Sequence, residues 1–80
     1  MTLRDFLNAR RWHIGDLPDL TVVVRERGAP QDEDRVFGDE IAAVCAVGLE
    51  LNDLGLKGGW VPFHRVLRVE GPSGAVVWTR

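Results

Sequence analysis

The sequence predicts an α+β domain in which an N-terminal helix packs on a small curled antiparallel sheet of four to five strands. Three observations predict it. Apolar residues recur at helical spacing near the start, valine-rich alternating runs follow, and the connections between them are mostly short and marked by glycine and proline. With 80 residues, residues 1–80 form a single domain, because a chain this short buries only about 60% of its unfolded surface and has none left for a second core.

The helix is read over Leu3 to Arg11. Thr2 with Asp5 three positions on offers an N-cap, and Leu3, Phe6 and Leu7 share one face. Arg10 and Arg11 fall in the last turn, where cations meet the carbonyl end, and Gly15 and Pro18 stop extension. Leu20 to Arg27 alternates as a strand, with Leu20, Val22 and Val24 on one face, and Gly28-Ala29-Pro30 ends it. Gln31 to Asp34 reads as an exposed acidic loop, and Val36-Phe37 as a short strand. Ile41 to Leu51 carries both periodicities; we expect a bend or helical turn near Asp39 to Ala43, then a strand from Val44 to Leu51. Asn52 to Gly59 is a connecting turn. Trp60 to Val69 is a strand starting at a sheet edge, since Pro62 cannot donate to a central ladder. Gly71-Pro72-Ser73-Gly74 turns the chain into a last strand, Ala75 to Thr79.

Composition narrows the function classes. The chain is 45% hydrophobic and 28% charged, as in folded domains. Cys45 is the only cysteine, so no internal disulfide forms, and its apolar neighbours suggest a buried thiol. No signal-like or membrane-spanning run is present, and a cytoplasmic location is expected. The net charge of −2 speaks against a broad nucleic-acid surface. Five of the twelve acids lie between Asp32 and Glu40, however, and nine of the ten basic residues are arginine, the side chain whose planar fork matches phosphate.

No metal site is expected from one cysteine and two distant histidines, and no cofactor motif is present. Ser73, the only serine, lies in a turn with no base beside it. The residues left to carry chemistry are His13, His64, Arg65, Arg27 and the three tryptophans. His64 and Arg65 interrupt the apolar run Val61-Pro62-Phe63-His64-Arg65-Val66-Leu67-Arg68-Val69 with an imidazole and a forked cation, a pair suited to a phosphate or phosphodiester. Each also has a plainer reading: His64 as a core histidine, Arg65 as a bridge to the acidic loop, His13 as a helix C-terminal cap. Trp12, Trp60 and Trp78 are most simply core anchors, although an aromatic face beside arginine also serves single-stranded RNA binding.

Taken in order, Leu3 to Leu7 followed by Trp12-His13, then Arg27-Gly28-Ala29-Pro30, Val61-Pro62-Phe63-His64-Arg65 and Val76-Val77-Trp78-Thr79-Arg80, the chain resembles the RNA cyclic group end recognition domain family nearly end to end. The resemblance implies recognition of RNA termini bearing a 2′,3′-cyclic phosphate in RNA repair or processing, alone or beside RNA-processing proteins. It carries the family's motifs onto Trp12, His13, Arg27, His64 and Arg65 as RNA- or phosphate-binding residues. Ile14 stands where proline often follows the histidine, the Asn52 to Gly59 turn is longer than usual, and the acidic balance departs from the expected basic character.

Three function classes stay open on the residues. The first is a non-catalytic module for RNA ends. The second is a metal-independent cyclic phosphodiesterase with His13 and His64 as acid and base, which needs both rings at one phosphate. The third is a protein-interaction module using the acidic stretch 32–40.

Overall fold

The computed structural model describes residues 2–52 and 57–80. Helix α1, Leu3–Asn8, starts where the sequence places it: the Thr2 hydroxyl accepts a hydrogen bond from the Asp5 amide at 3.1 Å, and Leu3, Phe6 and Leu7 are buried. The chain stays helical beyond Arg11. Ala9–Ile14 forms a wider π-type turn, closed by Gly15 at φ 82°, whose amide donates to the Arg10 carbonyl at 2.7 Å. The Arg10 side chain secures this exit, its guanidinium stacked 5.0 Å over the Phe6 ring and paired with Asp16 at 2.6 Å.

The strands are β1 (Thr21–Arg25), β2 (Glu33–Phe37), β3 (Ile41–Val44), β4 (Gly48–Leu51), β5 (Trp60–Pro62), β6 (Val66–Glu70) and β7 (Val76–Thr79). The class is α+β, as the sequence predicts. Among the described residues the strands number seven, in two antiparallel sheets ordered β2-β1-β6-β7 and β3-β4-β5. Neither sheet is closed. Helix and both sheets feed one core, which includes Leu7, Leu20, Val22, Val24, Leu49, Val61, Val66 and Val69. Burying each such side chain contributes about 1.5–3 kcal/mol.

The extra strands come from segments that hydrophobic alternation merges. The expected strand Trp60 to Val69 is broken at Phe63–Arg65 by a helical turn, which carries the chain from the three-stranded to the four-stranded sheet. Partners remote in sequence hold that turn. The Phe63 amide donates to Val47 O at 2.9 Å, and Arg80 donates to Phe63 O at 2.6 Å and to Val66 O at 2.8 Å.

The expected bend near Asp39 to Ala43 is a helical turn only over Gly38–Glu40 and then becomes β3, and the expected strand Val44 to Leu51 holds the end of β3, a turn and β4. Cys45 N–H donates to Gly48 O at 2.9 Å and turns β3 into β4. Gly48 is required there, since a Cβ would run into the Trp60 ring and the Val61 carbonyl. Gln31 to Asp34 is not a free loop either: Pro30–Asp32 is a helical turn and β2 begins at Glu33, which Arg68 holds through both carboxylate oxygens at 2.9 and 3.0 Å. Of the expected turn Asn52 to Gly59, residues 53–56 lie outside the described residues, and Lys57–Gly59 is a helical turn.

Of the three tryptophans, only Trp78 packs against the core, while Trp12 and Trp60 are exposed. Their sequence contexts are polar and glycine-rich, and the apolar volume of the core is supplied by aliphatic residues instead. Cys45 is a free, half-buried thiol. Among the described residues no helix is long and apolar enough to cross a membrane.

Candidate functional site

Two surface depressions contain the predicted site residues that line a concavity, and they lie at opposite ends of β1. The first, about 400 Å³, is lined by Arg25 and Arg27 with Gln31, Asp32 and Leu67. Local structure explains why both arginines meet there. Arg25 ends β1, the chain turns at Gly28 with φ 91°, and the turn is closed by Ala29 N–H on Glu26 O at 3.2 Å and Gly28 N–H on the Asp32 carboxylate at 3.2 Å. The same tight turn brings Gln31 and Asp32 back beside Arg25, with Gln31 and Asp32 themselves at positive φ. Leu67 reaches this rim because it is skipped in the β1–β6 register between Val23 and Val24.

Arg65 stands behind this rim. Its Nη2 donates to the Arg25 carbonyl at 2.8 Å and to the Glu26 carboxylate at 2.9 Å, so the cation that the sequence offers to a ligand is committed in part to holding the Arg25–Arg27 segment. Its acidic partner is Glu26, not the 32–40 stretch. His64, the preceding residue in the Phe63–Arg65 turn, is exposed.

The second depression, about 420 Å³, lies at the helix exit and is lined by Arg11, Trp12, Leu17, Gly38, Asp39 and Ile41 among others. Trp12 is 70% exposed. Arg11 covers one side of it, its guanidinium 4.8 Å from the ring centroid and its Nη2 donating to the Ala42 carbonyl of β3 at 2.9 Å. Gly38 joins this region to the start of β1: its amide donates to Leu20 O at 2.7 Å, and a Cβ on it would collide with the Leu17 carbonyl. His13 follows Trp12 and is exposed.

The two depressions thus flank β1. Phe37, next to Gly38, pairs with Thr21, and Glu33 pairs with Arg25; four residue steps along a strand span about 13 Å. Trp12 lines the one and Arg27 the other, while His13 and His64 line neither.

Most other cations are engaged. Arg10 pairs with Asp16, Arg65 with Glu26, and Arg68 with Glu33 and Glu70. Arg68 holds the Glu33 carboxyl below its ordinary range, first through their hydrogen bonds and then through its charge, and the two carboxylates hold Arg68 firmly protonated. Among the described residues, Arg25 and Arg27 make no ion pair. No three His, Cys, Asp or Glu side chains gather among the described residues in a way that would hold a metal ion.

Sequence reasoning missed Arg25, Gln31 and Leu67, which join Arg27 only through the turn and the register skip. It also missed Arg11, read there only as a helix-end cation. Fold and site together define a two-sheet α+β protein with a small cationic rim at one end of β1 and a tryptophan-lined depression at the other. No protein-family model, curated protein or solved structure matches the chain.

Proposed function

We propose that this protein is a non-catalytic binding module for RNA termini ending in a 2′,3′-cyclic phosphate, acting in RNA repair or processing. The observation that carries this is the pairing of Arg25 and Arg27 at one depression, both exposed and neither in an ion pair among the described residues. A cyclic phosphate is a diester with one negative charge, so two forked donors satisfy it without a basic face. A net charge of −2 is no obstacle to so small a site.

Arg27 contacts the phosphate, Arg25 supports it, and Arg65 fixes the backbone between them. The resemblance carried by Arg27 to Pro30 and Val61 to Arg65 adds the expectation that the anion is an RNA end. The two-histidine phosphodiesterase gains no support from residues that line neither depression. The interaction module gains none from an acidic stretch whose Asp32, Glu33 and Glu40 already accept internal hydrogen bonds.

The test is fluorescence anisotropy with one labelled RNA ending in a 2′,3′-cyclic phosphate, a linear phosphate or a hydroxyl. The cyclic end binds tightest, and Arg27→Ala weakens it about tenfold, equivalent to about 1.4 kcal/mol. Equal affinity for the cyclic and hydroxyl ends would overturn the proposal.

A further inference from the structure

The depression at the helix exit has a chemistry unlike that of the arginine rim. Its aromatic wall is solvent-exposed yet held in place. Trp12 sits in the π-type turn closed by Gly15 N–H on Arg10 O at 2.7 Å, and the arginine stacked on its ring is itself tied to Ala42 O at 2.9 Å. An indole fixed on one side by a cation and open elsewhere is a stacking platform for a flat ring.

The rest of the wall suits a neutral ring better than an anion. Leu17 and Ile41 are apolar and buried, and Gly38 keeps the wall free of a side chain. The charged group left at the rim is Asp39, whose carboxylate has no partner among the described residues. Its backbone is anchored, since Asn52 Nδ2 donates to Asp39 O at 3.1 Å and the neighbouring Glu40 carboxylate accepts from Phe37 N–H at 3.1 Å. The volume, about 420 Å³, falls within the range of about 300–1,000 Å³ that small-molecule sites occupy.

We infer that this depression is a base-reading site that takes guanine, stacked on Trp12 with its N1–H and N2–H donated to the Asp39 carboxylate. An ionised carboxylate only accepts hydrogen bonds. Guanine presents two adjacent donors on its Watson–Crick edge. Adenine and cytosine each place an acceptor beside a single amino group, and uracil has one donor between two carbonyls, so each of these faces the carboxylate with a lone pair. The inference builds on the RNA-terminus proposal: the phosphate lies at the Arg25–Arg27 rim, and a guanine further along the same strand reaches Trp12 at the depression beyond the other end of β1.

Neutral nucleosides test the base site without using the phosphate site. The full chain is titrated with guanosine, inosine and adenosine while the Trp12 indole N–H and the Asp39 amide are followed by NMR. Guanosine shifts both signals and binds about tenfold more tightly than adenosine, with inosine, which lacks the N2 amino group, in between. Asp39→Asn removes the preference while stacking persists, and Trp12→Ala abolishes binding of all three. Equal binding of adenosine and guanosine, or no shift at Trp12, would refute the inference. That failure stays separate from failure of the end-recognition proposal, which is read independently with an RNA containing no guanine.

Discussion

At the scale of single residues, Arg68 does more for the fold than its place in an apolar strand suggests. Val23 points away from the core shared by Val22 and Val24, yet it is fully buried. Arg68 on β6 and Arg35 on β2 are its cross-strand partners, and Arg68 reaches past β1 to the Glu33 carboxylate while also binding Glu70 at 2.9 Å. One side chain therefore straps three strands together over a valine. The strap is pH-dependent in a definite direction. Because Arg68 depresses the Glu33 carboxyl below its ordinary value of 4.5, the unfolded chain takes up this proton at a higher pH than the folded one. The stabilisation is complete above that ordinary value and disappears as the pH falls through the depressed folded one. Urea unfolding between about pH 7 and about pH 3 reads this directly. Wild type loses stability through the acid window, and Arg68→Leu, which still covers Val23, loses the Glu33 part of that dependence. An unchanged acid profile in the variant would show that the strap is not the cause. In sequence Arg68 is only an arginine among valines, since its two carboxylates lie 35 residues before and 2 residues after it.

At the scale of elements, the Phe63–Arg65 turn decides the architecture, because the chain changes sheets there. Its stability is borrowed from Arg80, which donates to both Phe63 O and Val66 O. Arg80→Ala is expected to cost about 1 kcal/mol, the scale of solvent-accessible hydrogen bonds, and to lower Tm by about 4–8 °C. Amide exchange at Phe63 and Val66 should quicken more than at Val22 or Leu49; a uniform change would mean that Arg80 does not act on the turn. This junction also explains what the sequence could and could not convey. The Thr2 cap, the Leu3-Phe6-Leu7 face and the inward face of β1 are encoded by residues a few positions apart, and all were legible. The break at Phe63 was not, because alternation continues through it and the groups that stabilise it, Val47 and Arg80, lie 16 and 17 residues away. The turn between β3 and β4, at the start of the expected strand Val44 to Leu51, was hidden for the same reason, with Gly48 placed by a tryptophan on another strand. For the candidate site, Trp12 and Arg27 were legible as residue types, whereas their separation along β1 belongs to the register alone.

At the scale of the whole molecule, the proposed reading of RNA ends has to fit a chain of net charge −2. Most of its arginines already serve the fold: Arg10, Arg65 and Arg68 in ion pairs, Arg11 and Arg80 on backbone carbonyls. Among the described residues, the molecule, 35 × 26 × 20 Å, gathers two arginines without ion pairs at one depression. A broad face would release many counterions on binding RNA; a site that neutralises one terminal phosphate releases about one. For single strands the dependence of log K on log salt is then about −0.7, so raising salt from about 50 mM to about 200 mM weakens binding only about two- to threefold. Anisotropy across that range with the cyclic-phosphate RNA measures the slope, and Arg27→Ala should lower affinity at every salt without steepening it. A slope several times steeper would mean that the RNA lies along many cations, among them exposed Arg4 and Arg35, and that the end of the strand is not what the protein reads. A shallow slope combined with loss of binding to the hydroxyl end would mean that affinity resides in one terminal phosphate, as proposed for the Arg25–Arg27 depression.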